Sequence, residues 1–145
     1  MTQPATSITS ARHARIVHAA LVLGVALAGV VFFIVLRTIP PSFPGASILS
    51  FVTAGLGLGN IAAGLGLFRS KIPQRSSAQA PDDYWTSPEV RGIAIVTWAI
   101  IEGGGVVALV GYFLTGMPVP AGVGALSIVA LILVRPSRLE GDAGS

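Results

Sequence analysis

A single carboxylate, Glu102, stands in the middle of the apolar run Arg91 to Leu114, RGIAIVTWAIIEGGGVVALVGYFL, and three glycines, Gly103, Gly104 and Gly105, follow it directly. Hydrocarbon disfavours the charged form of a carboxyl group. An acid held there either links helices by hydrogen bonding or takes up and releases a proton or cation. The glycines let a second helix or a ligand come close, or permit a local bend, at some loss of helix propensity. Asn60, inside the glycine-rich stretch Thr53 to Gly66, is the other polar candidate. It lies nine residues from Arg69, and Glu102 lies eleven from Arg91. Those spacings place them ~14 Å and ~16 Å along helices that enter from the same side. An amide at that depth can donate to the acid, to Thr97, to another helix or to water. Glu102 and Asn60 are therefore the candidate ion-binding residues.

The elements that position them follow from composition. Of 145 residues, 52% are hydrophobic and 10% charged, and the mean hydropathy is +0.79; an average soluble domain carries about 25% charged residues. Such a chain belongs in a membrane. Apolar segments predict spans over about 15–37, 46–69, 90–115 and 117–135, the last reaching bilayer thickness only with its proline-rich entry included. The expected fold is all-α: an integral membrane four-helix bundle, one domain built from two antiparallel hairpins, with a disordered N-terminal tail over 1–11. Three prolines between Thr38 and Gly45 make the first turn. Tyr84 and Trp85, in the polar loop 70–88, are expected at the membrane interface. Thr86 or Ser87, then Pro88 and Glu89, reads as a helix start. Ala26-Leu27-Ala28 resembles a signal-peptide cleavage site, but the apolar run continues to Leu36 and favours a retained span.

Arginines sort by side. Arg12, Arg15, Arg69, Lys71, Arg75, Arg91, Arg135 and Arg138 flank one set of helix ends, and Arg37 stands alone at the other. The positive-inside rule then places both termini and the loop in the cytoplasm of a multi-pass protein of the inner (plasma) membrane. The net charge of +3 thus reports topology, not a nucleic-acid partner. A weak internal repeat at an offset of 79 pairs Arg12 with Arg91, Gly24 with Gly103 and Val31 with Val110, setting Glu102 opposite Leu23. In the second span Gly55, Gly59 and Ala63 recur every four residues. Small residues at that spacing flatten a helix face for close approach, within the chain or between copies.

Gly55 to Gly66, Arg69 and Pro73 in the loop, and the run Ala94 to Glu102 followed by Val106 to Val110 resemble the hairpin of the c-type proteolipid of rotary ATP synthases, over about residues 46–114. The resemblance implies that Glu102 matches the family's ion-carrying carboxylate and that the glycine face packs in a ring. The chain differs in reading Arg69-Ser70-Lys71-Ile72-Pro73 where the family usually has an Arg-Gln/Asn-Pro tripeptide, in its two further helices, and in Gly103 to Gly105. It reads as a divergent relative.

Without cysteine there are no disulfides and no thiol chemistry. No nucleophile stands near a base, His13 and His18 lack metal-ligand spacing, and the glycines lie within a helix rather than in a phosphate loop. The expectation is a non-enzymatic protein without metal or cofactor, structural or assembly in type, whose partners are the lipid bilayer and either further copies or other membrane subunits. A proton- or cation-translocating subunit using Glu102 is the alternative, and a small-molecule exporter a weaker one.

Overall fold

The computed structural model describes residues 9–41 and 45–141. Most of the expected N-terminal tail and part of the first turn lie outside them. The described residues are helical: α1 (Ser10–Thr38), α2 (Ala46–Ala63), α3 (Pro81–Thr86), α4 (Pro88–Thr115), α5 (Pro118–Leu133) and α6 (Pro136–Leu139), with no strand among them. After Ala63 the second helix continues as a π-helical turn, Gly64–Phe68, and a 3₁₀ turn, Arg69–Lys71. Proline opens α3, α4, α5 and α6, where its missing N–H has no helical partner to lose. Gly116, at φ 66°, ends α4 and donates its N–H to the Tyr112 carbonyl at 2.7 Å.

Three helices are long and apolar enough to cross a membrane: Ser10–Thr38, Ala46–Lys71 and Pro88–Thr115. The fourth apolar helix, Pro118–Leu133, has 16 residues, ~24 Å at the usual rise and short of the ~20 residues a bilayer asks for. The outward surfaces suit hydrocarbon. Leu23, Leu27, Val30, Phe33 and Ile34 of α1 and Ile48, Phe51, Val52 and Leu56 of α2 are all exposed.

Helix α4 is the centre, touching α1, α2, α3 and α5. Its residues Gly104 and Gly111 face α2, Gly105 and Leu109 face α5, and Glu102 and Phe113 face α1. α2 and α5 each run antiparallel to α4, as the pairs Gly57–Gly104 and Thr53–Gly111, and Gly105–Ser127 and Trp98–Val134, require. α1 runs parallel to it. Gly24 meets Glu102, His18 meets Trp98, Gly29 meets Leu109 and Phe32 meets Phe113, partners 78 to 81 positions apart. That spacing brackets the repeat offset of 79, so residues paired by the repeat sit side by side at one depth. The offset does not carry to the second pair of helices, since Ala46, which opens α2, then falls on Ala125, inside α5.

Two expectations change. The first two spans do not pack as a hairpin: α1 lies against α3, α4 and α5 and makes no substantial contact with α2. The reason is steric fit. α2 approaches α4 to backbone distance through Gly57 and Gly104, while α1 turns Ala11, Ala14, His18 and Val25 toward α3, α4 and α5. The long helices thus form a rhombus with α4 and α5 on its short diagonal and α1 and α2 at the far corners. Tyr84 and Trp85 also turn inward. They are 2% and 0% exposed, with Trp85 5.9 Å from Trp98 between ring centroids.

Candidate functional site

Glu102 lies midway along α4 on its seam with α1. Gly24 is its neighbour across that seam: a Cβ on that glycine would stand 3.7 Å from Glu102 Oε1, an ordinary contact distance. The carboxyl is half-buried and has no hydrogen-bond partner among the described residues. Two polar side chains in the preceding turns of α4 are engaged elsewhere. Thr97 donates its hydroxyl to the Ile93 carbonyl at 2.8 Å, and Trp98 donates Nε1–H to the Val134 carbonyl at 2.9 Å.

Asn60 is at matching depth on another face. Its Cβ lies 2.9 Å from where a Cβ on Gly104 would stand, on the seam between α2 and α4. Residues 102 and 104 differ by two positions, ~3 Å along the axis but ~200° around it. The structure therefore does not bring Asn60 and Glu102 together: α1 takes the acid's face, α2 takes the amide's, and the two helices make no substantial contact. Asn60 is exposed on the outer surface, also without a hydrogen-bond partner among the described residues.

The glycines divide in the same way. Gly57 of α2, Gly64 of the π-helical turn after it, and Gly104, Gly105 and Gly111 of α4 are buried contacts, and a Cβ on Gly57 would stand 2.7 Å from the Gly104 carbonyl oxygen. Gly55 and Gly59 look outward, with no atom within 4 Å of an added Cβ, and so does Gly103. Ala63 is half-buried. Of the six small residues expected to carry packing, Gly104 and Gly105 do so within the chain, while Gly55, Gly59 and Gly103 present bare backbone to the surroundings.

A polar cluster that the sequence reading missed closes the other end of the molecule, where the start of α1, the loop and the C-terminal segment converge. Glu140 is 8% exposed and accepts from Trp85 Nε1 at 2.8 Å and from Arg15 Nη2 at 3.2 Å. Arg75 donates to the Glu140 backbone carbonyl at 2.7 Å and also to the Gln79 carbonyl. Tyr84 donates its hydroxyl to the Pro73 carbonyl at 2.8 Å. Burial, with the Glu140 charge adding to it and Arg75 opposing, pushes the Tyr84 phenol up from its ordinary range. Beneath this layer, buried His18 donates Nε2–H to the Leu131 carbonyl at 2.9 Å and sits edge-on to Trp98. A carbonyl can only accept, so the proton is on Nε2. This gives His18 a fixed helix-linking role.

Compared with protein-family models, curated proteins and solved structures, the chain finds no match in any of the three.

Proposed function

We propose that this chain is a small non-enzymatic membrane protein of structural or assembly type, a four-helix bundle similar in pattern to rotary-ATPase proteolipids. It works by lateral association with other helices in the bilayer. In this reading α5 completes the crossing with its proline-led entry and the segment after it. Both termini and the 70–88 loop lie on the cytoplasmic side of the inner membrane, as the arginine distribution favours.

The observation that carries the reading is the outer face of α2. Gly55 and Gly59 are open there, at the level of an Asn60 amide that finds no partner among the described residues. Where no burial from water drives association, close backbone approach and interhelical hydrogen bonds do. The test is the mass of the detergent-purified protein by native mass spectrometry. The wild type should be larger than one chain, Gly55→Leu/Gly59→Leu should fall toward the monomer with helicity intact, and Asn60→Leu should weaken the assembly less. A wild type that is monomeric in every mild detergent and in nanodiscs rejects the assembly role.

Glu102 favours a second reading, proton or cation translocation. A carboxyl at mid-helix, half-exposed at an outer seam, is placed for exchange with a partner, though Asn60 of the same chain is not its supporting donor. Glu102→Gln should then abolish ion flux in liposomes while leaving the mass unchanged; equal flux in both proteins removes this reading.

A further inference from the structure

At the end of the molecule that gathers the arginines, a cavity of about 280 Å³ opens between the end of α2, the loop that follows it and α6. Arg69, Ser70, Gln74 and Arg138 form its polar lining, and Ile72, Pro73 and Leu139 the rest. The cations of this region fall into two groups. Arg15 and Arg75 are engaged with Glu140, the first through its carboxylate and the second through its backbone carbonyl. Arg69 and Arg138 have neither a carboxylate nor a hydrogen-bonded acceptor among the described residues. The acid nearest in sequence to Arg138 is Glu140, whose carboxylate is turned to Arg15 and the Trp85 indole.

The walls are fixed independently of any occupant. Tyr84 holds the Pro73 carbonyl, Arg75 holds the carbonyl of Glu140, Ser70 is bonded to the Leu67 carbonyl, and Ile72 is buried beneath. Two arginines from separate segments thus line one pre-formed recess to which the described residues supply no anion. From this arrangement we propose that the recess is a binding site for a phosphate group, the headgroup phosphate of an anionic phospholipid.

Guanidinium forks match the oxygens of phosphate in paired hydrogen bonds, and a tetrahedral anion can serve two forks at once. Depth and lining favour a lipid as the source. Arg69 and Lys71 close the apolar span Ala46–Lys71, so the recess lies at headgroup level, where basic pockets beside membrane helices take up such groups. Ile72, Pro73 and Leu139 offer an apolar wall to the glycerol and the first acyl carbons. The proposal rests on the chain residing in a membrane and not on lateral assembly.

The experiment uses the full chain, delipidated in detergent, with native mass spectrometry reading bound lipid and oligomer mass in the same samples. Dioleoyl phosphatidylglycerol, phosphatidylcholine and inorganic phosphate are titrated separately. Phosphatidylglycerol should bind at least tenfold more tightly than phosphatidylcholine. Arg69→Gln/Arg138→Gln should lose that preference while keeping wild-type helicity, Arg69→Lys/Arg138→Lys should retain part of it, and Arg12→Gln, an exposed cation outside the recess, should change nothing. Inorganic phosphate that competes with the lipid only when both arginines are present supports the phosphate site and identifies a soluble phosphate as a further source. Wild-type lipid preference in the double glutamine variant, or an equal loss in Arg12→Gln, overturns the proposal. Because oligomer mass is read alongside, loss of lipid binding and loss of assembly are separate results.

Discussion

Trp85 donates its indole N–H to Glu140 Oε1 at 2.8 Å across 55 positions of sequence, and the indole is fully enclosed. Through Arg15 the same carboxylate reaches the first turns of α1. One acid thereby ties the loop, the N-terminal helix and the C-terminal segment together.

The two bonds differ in worth. Arg15 is 57% exposed, so its ion pair contributes no more than about 1 kcal/mol. A buried indole N–H left without an acceptor costs about 1–3 kcal/mol. Thermal unfolding in detergent should therefore rank Glu140→Ala as clearly destabilised, Arg15→Ala as close to wild type, and Glu140→Gln, which keeps an oxygen for the indole, between them. An Arg15→Ala loss equal to that of Glu140→Ala would show that the ion pair, not the indole bond, holds this end.

Tyr84 gives a dependence on alkaline pH. Its phenol is raised in the folded protein by burial, then by Glu140, with Arg75 partly offsetting. The native state thus keeps the proton after the unfolded chain begins to lose it near pH ~10. The stability linked to this group is complete below that pH and is lost as pH rises through the folded value. Unfolding followed between pH 8 and 11.5 should show a decline that is shallower in Tyr84→Phe. The variant should also start from a lower plateau, having lost the bond to the Pro73 carbonyl.

Gly57 and Gly104 bring the backbones of α2 and α4 close together. A Cβ on either would come within 2.7 Å of the other's carbonyl oxygen, and carbonyls cannot step aside as a flexible side chain can. Gly57→Ala and Gly104→Ala should each destabilise the fold by about 1–3 kcal/mol, the range for overpacking. Gly103→Ala, with open space around it, should be neutral or mildly stabilising through helix propensity. Denaturation in mixed micelles compares the three directly, and tolerance of Gly104→Ala would mean the helices are further apart than described.

Helical character and the long spans were legible in the sequence, because apolar run length and proline-led starts at Pro88 and Pro118 are local signals. The inward face of α2 was not. Glycines at 55, 57, 59, 64 and 66 populate several sides of one helix, so small-residue spacing alone selects Gly55–Gly59 as readily as Gly57–Gly64. The choice is made by α4, whose Gly104 and Gly111 receive the Gly57 and Thr53 side. Depth was legible for Glu102 and Asn60, since it depends on a rise per residue. Their separation was not, since it depends on which helices fill the space around α4. The Glu140 cluster left no signal in spacing, its partners lying 125 and 55 positions away.

The absence of a substantial α1–α2 contact also bears on how the chain is made. α1 is made before α2, yet that next helix offers it little. Its hydrogen-bond partners Asp82, Thr86, Leu131 and Glu140 come 71, 76, 113 and 125 positions later. The face that holds His18 and Val25 therefore stays uncovered until α3, α4 and α5 have followed. Translation halted before α4 leaves that face without its main partner, and apolar surface exposed in this way invites misassembly.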